Sequence, residues 1–541
     1  MLSRNIKPYG IAIVAFLVLA IIINYLAVTN TLAHDKLNVE LFLLKSGNQN
    51  LFSNDAFLQG NAWHFFYVPF VEFMRFANQF TGSSEETWRL LVPITFFLFW
   101  FAMFIFLYHF TRRTFISITI AILSSIYIPE VLHETWGIPG PSMIMYRHPA
   151  LALLPFSFLL FFKYFKTPRL PFAFFLTGLI GIIHPVSALW LTLIFLGALF
   201  FNGGFNGKTI KQIFLCGLAS IIGVSPFLFW HFILFPPDAG GGLTLSASPI
   251  YFEAFWTSQS HMSPVGMATL YQRLFVEKWY TIWPLILVFW LTLRLRKKKT
   301  DETTEPADSI SRSLVISTFA VTFSISIIQQ ILQIAFKIPP LLMEEPRAFK
   351  FIYFILYLYL AILLTEAWPR IHKNLLFKRK KTIWAAISVT TVLLAGIIIF
   401  MASDKISRIS SLVERGRNDP EIGNTCRNPM YEWMRKNTPL ESIFLIDPNR
   451  YPPFRICAQR GVVYHYRDGA AVAPSSNMLI EWFLRKQAVE AAYEKNKDGQ
   501  EIFELAVQYK ANYIVSEKCV AIPGLETIYS DSEFDCVYKI K

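Results

Sequence analysis

Leu90 to Arg113 reads LLVPITFFLFWFAMFIFLYHFTRR, an apolar run with no Asp, Glu, Lys or Arg before the two arginines that end it. About twenty apolar residues are what an α-helix needs to cross a bilayer's hydrocarbon core. An arginine pair at one end marks the cytoplasmic side, where positive charge is retained. Similar runs recur on both sides of this one. Toward the N-terminus, Arg4 and Lys7 precede an apolar stretch from Gly10 to Val28. That stretch is long for a signal-peptide core and many like it follow, so it predicts an uncleaved first helix with its N-terminus in the cytoplasm. Toward the C-terminus, further runs lie near 115–131, 149–165, 170–184, 186–202, 212–235, 280–296, 314–336, 350–368 and 383–402. Together they predict about eleven transmembrane helices.

The connections support this reading. Positive charge falls on alternate loops: Arg112 and Arg113; Lys163, Lys166 and Arg169; Lys208 and Lys211; Arg294, Arg296 and 297–299; Lys373 and 378–381. Those loops face the cytoplasm, and an odd number of spans then sends the tail after Ala402 to the outer side. The fold class expected is a polytopic α-helical membrane protein, N-terminus in and C-terminus out, resident in the inner or plasma membrane. Residues 1–402 form its membrane domain, 403–417 a connector, and 418–541 a small extracytoplasmic α/β domain.

Composition agrees. Of 541 residues, 54% are hydrophobic and only 16% charged, with mean hydropathy +0.41, too apolar for a chain whose only solvent is water. The net charge of +13 comes from the short basic clusters between apolar runs. That placement is a topology signal, not a nucleic-acid footprint, and nucleic acid is excluded as a partner. Cys216 lies in an apolar run, while Cys426, Cys457, Cys519 and Cys536 fall in the tail, without the C-x-x-C spacing of zinc or thioredoxin-like sites. On an outer, oxidising side they predict two disulfides. Three pairings exist, and Cys519 with Cys536, leaving Cys426 with Cys457, is the one expected.

The outer face carries three large features, 31–88, 132–148 and 236–279, whereas 297–312 (KKKTDETTEPADSISR) has the composition of a disordered cytoplasmic linker. Within 31–88, WHFFYVPFVEFMRFANQF from Trp63 to Phe80 mixes aromatics with Glu72 and Arg75 and predicts an interfacial helix. In the tail, 442–447 (SIFLID), 461–466 (GVVYHY), 512–517 (NYIVSE) and 534–540 (FDCVYKI) predict strands, with helices over 477–493 and 501–509. That order predicts a mostly parallel sheet closed by a hairpin from Leu525 to Ile540.

No P-loop, GxSxG, HExxH or dinucleotide-binding glycine pattern occurs, so candidate chemistry rests on polar residues at outer helix ends. Asp55, in LFSNDAFLQ, is either a proton acceptor or metal-associated carboxylate, or the cap of a turn with Asn54. His133 and Glu134, with Arg147 and His148, crowd polar charge into one loop, fitting phosphate binding and interfacial anchoring alike. KIPPLLMEEPRAFK places Lys337, Arg347 and Lys350 on the outside, against the positive-inside trend, which suggests an anionic partner. Glu344 and Glu345 beside them orient the arginine or bind a metal, or close a local salt-bridge cluster. His184 and Pro185 mark an outer turn, and His261 lies in the loop holding the glycines at 240–242.

The first span, the long outer loop with NDAF, the HP turn, and the tail segments NTPLESIFLIDP, PFRICAQRGVV and EWFLR occur in an order that resembles the GT-C type of membrane glycosyltransferase. It is most similar to a bacterial branch with a C-terminal outer domain, and the resemblance spans nearly the whole chain. It implies transfer of a sugar from a polyprenyl-phosphate donor to a glycan, lipid or protein acceptor, with Asp55 as the first-loop acid. Arg347 is in place for that family's phosphate-binding cation, and Lys350, Arg147, His148 and Glu134 are the further candidate substrate-binding residues read from the sequence itself. A divalent cation is the candidate cofactor, with Asp55 and Glu344 as candidate ligands. HET at 133–135 stands where that family places a second acidic pair. A lipid or glycan flippase, or a non-catalytic assembly subunit, are the alternatives.

Overall fold

The computed structural model describes residues 6–26, 35–59, 64–126, 147–234, 248–277, 279–297, 305–338, 345–374 and, apart from a few short segments, 426–541. Fourteen helices of the first part are α1 (Ile6–Leu26), α2 (Asp35–Gly47), α3 (His64–Thr81), α4 (Ser84–Thr111), α5 (Thr114–Ile126), α6 (His148–Tyr164), α7 (Leu170–Ile180), α8 (Pro185–Gly203), α9 (Gly207–Phe229), α10 (Pro249–Ser258), α11 (Pro264–Gln272), α12 (Trp279–Lys297), α13 (Glu305–Phe336) and α14 (Lys350–Asn374). Among the described residues, five helical stretches are long and apolar enough to cross a membrane: Glu86–Thr111, Pro185–Gly203, Gly207–Leu234, Pro306–Phe336 and Pro346–Ala367. A sixth crossing is formed if the bent pair Pro264–Glu277 and Ile282–Arg296 is one span. These are multi-pass membrane helices. The runs expected near 10–28, 115–131, 149–165 and 170–184 are present as shorter apolar helices, and 383–402 and the connector 403–417 lie outside the described residues.

The span Pro346–Ala367 is 89% buried and Gly207–Leu234 only 22%, so α14 is central and α9 peripheral. Phe158 of α6 is the hub, its ring 5.2 Å from Phe195 of α8 and 5.1 Å from Phe354 of α14. Where helices approach most closely, glycine permits it. A Cβ on Gly178 of α7 would lie 2.2 Å from the Ser220 carbonyl oxygen of α9, and one on Gly223 2.2 Å from that of Phe175.

Residues 305–312 correct the expectation of a disordered linker: Glu305–Arg312 is the first part of α13. Asp308, 8% exposed, accepts a 2.7 Å hydrogen bond from the Tyr359 hydroxyl and pairs with Arg296 at 3.3 Å. Arg296 also reaches Glu366 at 3.6 Å, so one guanidinium ties α12, α13 and α14 together at the end opposite Lys350.

The C-terminal domain holds α15 (Pro429–Asn437), β1 (Ile443–Leu445), α16 (Phe454–Ala458), β2 (Gly461–Val462), α17 (Asp468–Val472), α18 (Ser476–Lys495), α19 (Gln500–Gln508), β3 (Tyr513–Ser516), β4 (Leu525–Ser530) and β5 (Cys536–Ile540). The sheet order is β2-β1-β3-β5-β4, parallel through β2, β1 and β3 and antiparallel beyond. The expected strands, both helices and the closing hairpin are present, but the strand expected over 461–466 is only Gly461–Val462, and the sheet is half parallel instead of mostly so, because the closing hairpin adds two antiparallel pairings. Disulfides join Cys426 to Cys457 and Cys519 to Cys536, consistent with a domain facing outside.

This domain is not a tethered appendage. Phe57 of the first loop and Tyr251, Phe252 and Phe255 of α10 share one hydrophobic core with Tyr464, Trp482 and Ile514. Trp256 of α10 in turn donates a 3.2 Å hydrogen bond to Gln333 near the C-terminal end of α13. The C-terminal ends of α13 and the start of α14 therefore lie on the side of the molecule that carries the C-terminal domain.

Candidate functional site

Two polar clusters stand out. The first lies where α6, α8 and α14 begin. Phe158 and Phe195 each sit ten residues from the start of their helix and touch, so α6 and α8 start at the same level. Proline at the first turn of both helices suits this role, since a helix N-terminus has no acceptor for those amides anyway. His184 caps α8: its Nδ1 accepts from the Ser187 backbone N–H at 3.2 Å and lies 2.8 Å from Ser187 Oγ. With Nδ1 accepting, the neutral ring carries its proton on Nε2. The Lys350 ammonium, at the start of α14, donates to the same Ser187 Oγ at 2.8 Å. Arg347 lies in the 3-10 turn Glu345–Phe349 immediately before it. Arg147, His148, His184, Arg347 and Lys350 are each at most 8% exposed. Buried basic side chains gathered at helix N-termini, whose dipoles also favour negative charge, suit an anion.

The second cluster joins Asp55 to the C-terminal domain. Asp55 is completely buried. Its two oxygens accept from Arg455 Nε at 2.8 Å, Arg455 Nη2 at 2.9 Å, the Val462 N–H at 3.0 Å and the Phe57 N–H at 3.2 Å. Arg455 binds Asp468 with its other face, through Nη1 and through Nη2 at 2.9 Å. Burial alone would lower the Arg455 pKa, but Asp468 and Asp55 outweigh it and hold the guanidinium firmly charged. Lys45, which donates to the Leu58 carbonyl, is pushed below the ordinary lysine range by burial, with Asp55 opposing that shift. Close approach of the loop is possible because position 461 is glycine: a Cβ there would lie 2.5 Å from Ile443 Cδ1 and 3.2 Å from Asp55 Cβ. Asn54 adds a 3.0 Å bond to the Glu441 carbonyl.

Arg147, His148, Arg347 and Lys350, singled out in the sequence as anion-binding candidates, are thus buried at one end of the bundle. Asp55 stands apart from them in the ion-pair cluster. Glu134, His133 and Glu344 lie outside the described residues, as do the side chains of His261 and Glu345. Among the described residues no three His, Cys, Asp or Glu side chains come together as a metal site. Sequence reasoning missed Arg455, Asp468, Ser187 and Gly461. Arg455 and Gly461 fall in PFRICAQRGVV, a segment noted for its resemblance but not for its arginine.

A family model described as a domain of unknown function (DUF6798) matches residues 427–489, which include Arg455, Gly461 and Asp468. No curated protein matches the chain.

Proposed function

We propose that this multi-pass protein is a glycosyltransferase that takes a sugar from a polyprenyl-phosphate donor at the outer face of the membrane, with about eleven crossings in all. The observation that carries the reading is the set of buried basic side chains, Arg147, His148, His184, Arg347 and Lys350, at helix N-termini on the side of the C-terminal domain. In transfer, the bond from the anomeric carbon to the phosphate oxygen breaks as the acceptor oxygen bonds to that carbon, and the acceptor hydroxyl's proton passes to the departing phosphate. Arg347 and Lys350 stabilise that leaving phosphate. Asp55 serves this reading as the clamp that fixes the first loop and the C-terminal domain over the bundle. All four of its acceptor positions are occupied, which disfavours it as the proton acceptor that the family resemblance implied.

The test is binding first, then chemistry. Full-length protein in phosphatidylcholine nanodiscs is titrated with a polyprenyl phosphate and with the matching polyprenol. Tighter binding of the phosphate is expected, with Lys350→Ala and Arg347→Ala each weakening it about ten-fold or more, the worth of one charge-assisted bond. Equal affinity for phosphate and alcohol rejects the assignment. Cells lacking the protein should then accumulate a lipid-linked sugar and lose one surface glycan.

A further inference from the structure

A groove of about 490 Å³ opens between α11 and the C-terminal part of α13. Its walls are apolar, chiefly Met267, Phe323, Ile327 and Ile331, and none of the residues lining it is charged. Ile327 and Ile331 are half exposed on its rim, within a membrane-spanning helix, so the groove opens toward lipid. Its polar groups are neutral: the Tyr271 and Ser326 hydroxyls, 2.5 Å apart, and the Gln330 amide. Both amide atoms of Gln330 are buried without a hydrogen-bond partner, as are both of the adjacent Gln329, which is 4% exposed. Unsatisfied amides in a membrane-spanning helix are costly, and nearly all buried polar groups in folded proteins find a partner. Of the two glutamines, only Gln330 lines the groove, and its open carbonyl oxygen and amide nitrogen call for a ligand that can both donate and accept.

We infer that this groove binds a neutral lipid bearing a free hydroxyl. The apolar walls and the opening toward lipid suit its hydrocarbon chain. The absence of charge on the walls argues against an ionised headgroup. Gln330 is six residues from the end of α13 at Phe336, about 9 Å along the helix axis, so the open amide lies near one end of the span and not at its middle. The ring of Phe349 lies 5.6 Å from Phe323 and 6.2 Å from Tyr271, so a single aromatic layer separates the groove from the turn that carries Arg347. Binding in this groove does not depend on the transfer reaction proposed above.

The test uses full-length protein in phosphatidylcholine nanodiscs containing a small fraction of diacylglycerol with a photoreactive acyl chain. Crosslinked peptides are expected to concentrate in 264–272 and 323–335. Unlabelled dioleoylglycerol should displace the probe, whereas its methyl ether, which lacks the hydroxyl donor, and dioleoylphosphatidic acid should not. Gln330→Leu should lower labelling about ten-fold, as expected for one lost hydrogen bond. Its thermal midpoint without added diacylglycerol should be equal to or above wild type, because the substitution removes an unsatisfied amide. Labelling spread evenly over the lipid-facing helices, competition by the methyl ether or phosphatidic acid as strong as by the alcohol, or wild-type labelling of Gln330→Leu would each show that the groove holds only bulk lipid.

Discussion

Asp55→Asn separates a clamp from a catalytic base. The substitution keeps size and one acceptor oxygen, so the Phe57 N–H and one nitrogen of Arg455 can still be satisfied. The other oxygen becomes an NH2 group that faces Arg455 Nε and the Val462 N–H, two donors now 2.8 and 3.0 Å from a third. Arg455, wholly buried, retains only Asp468 as a counter-ion. Removing one partner from a buried ion pair costs about 3–5 kcal/mol. That corresponds to at least about a hundred-fold rise in molecules whose first loop is released from the C-terminal domain. Hydrogen exchange reads this directly, since the Phe57 and Val462 amides both donate to Asp55. Peptides covering those amides should lose protection in Asp55→Asn and in Asp468→Asn, while peptides from the centre of α14 keep theirs. Wild-type protection and thermal midpoint in Asp55→Asn, together with abolished sugar transfer, would refute the clamp and return Asp55 to the reacting atoms.

Other substitutions probe the remaining joints. Gly178→Ala places a methyl group against the Ser220 backbone, where no side-chain rotation relieves the clash, so α7 and α9 must separate. A loss of about 3 kcal/mol or more is expected, seen as a lower midpoint in detergent; an unchanged midpoint contradicts the packing. Cys426→Ser with Cys457→Ser opens a loop of sequence separation 31, worth about 3–4 kcal/mol. Reduction should lower the wild-type unfolding midpoint, and peptide mapping that finds all four tail thiols free removes the basis for this expectation.

Much of the fold is legible in sequence because it is carried by local patterns. An apolar run long enough to span lipid declares itself, as Leu90–Thr111 does, and so does a strand such as Tyr513–Ser516 or the β4–β5 hairpin. The exceptions arise where a distant partner changes what a residue means. Glu305–Arg312 has the composition of a disordered linker, yet it is the start of α13, where Arg296 and Tyr359 neutralise and bond the buried Asp308. Composition cannot reveal a counter-ion supplied by another helix.

The same limit governs the site. Asp55 is conspicuous as an acid in an aromatic loop, where the residues alone fit a proton acceptor, a metal-associated carboxylate or the cap of a turn with Asn54. Its isolation in sequence is only apparent, because Arg455 lies 400 residues away and meets it through three coincident features. The Cys426–Cys457 disulfide anchors α16, the helix that holds Arg455. Gly461 removes the side chain that would keep the loop at a distance, and the first residue pairs of β1 and β2 present the Val462 N–H to the Asp55 oxygen that also accepts from Arg455 Nε. Each feature has an ordinary explanation alone: a disulfide for stability, a glycine for a strand start, a strand pairing for the sheet. Their convergence on one carboxylate is visible only in three dimensions. It is also why removing that charge should loosen the docked domain before it touches any chemistry.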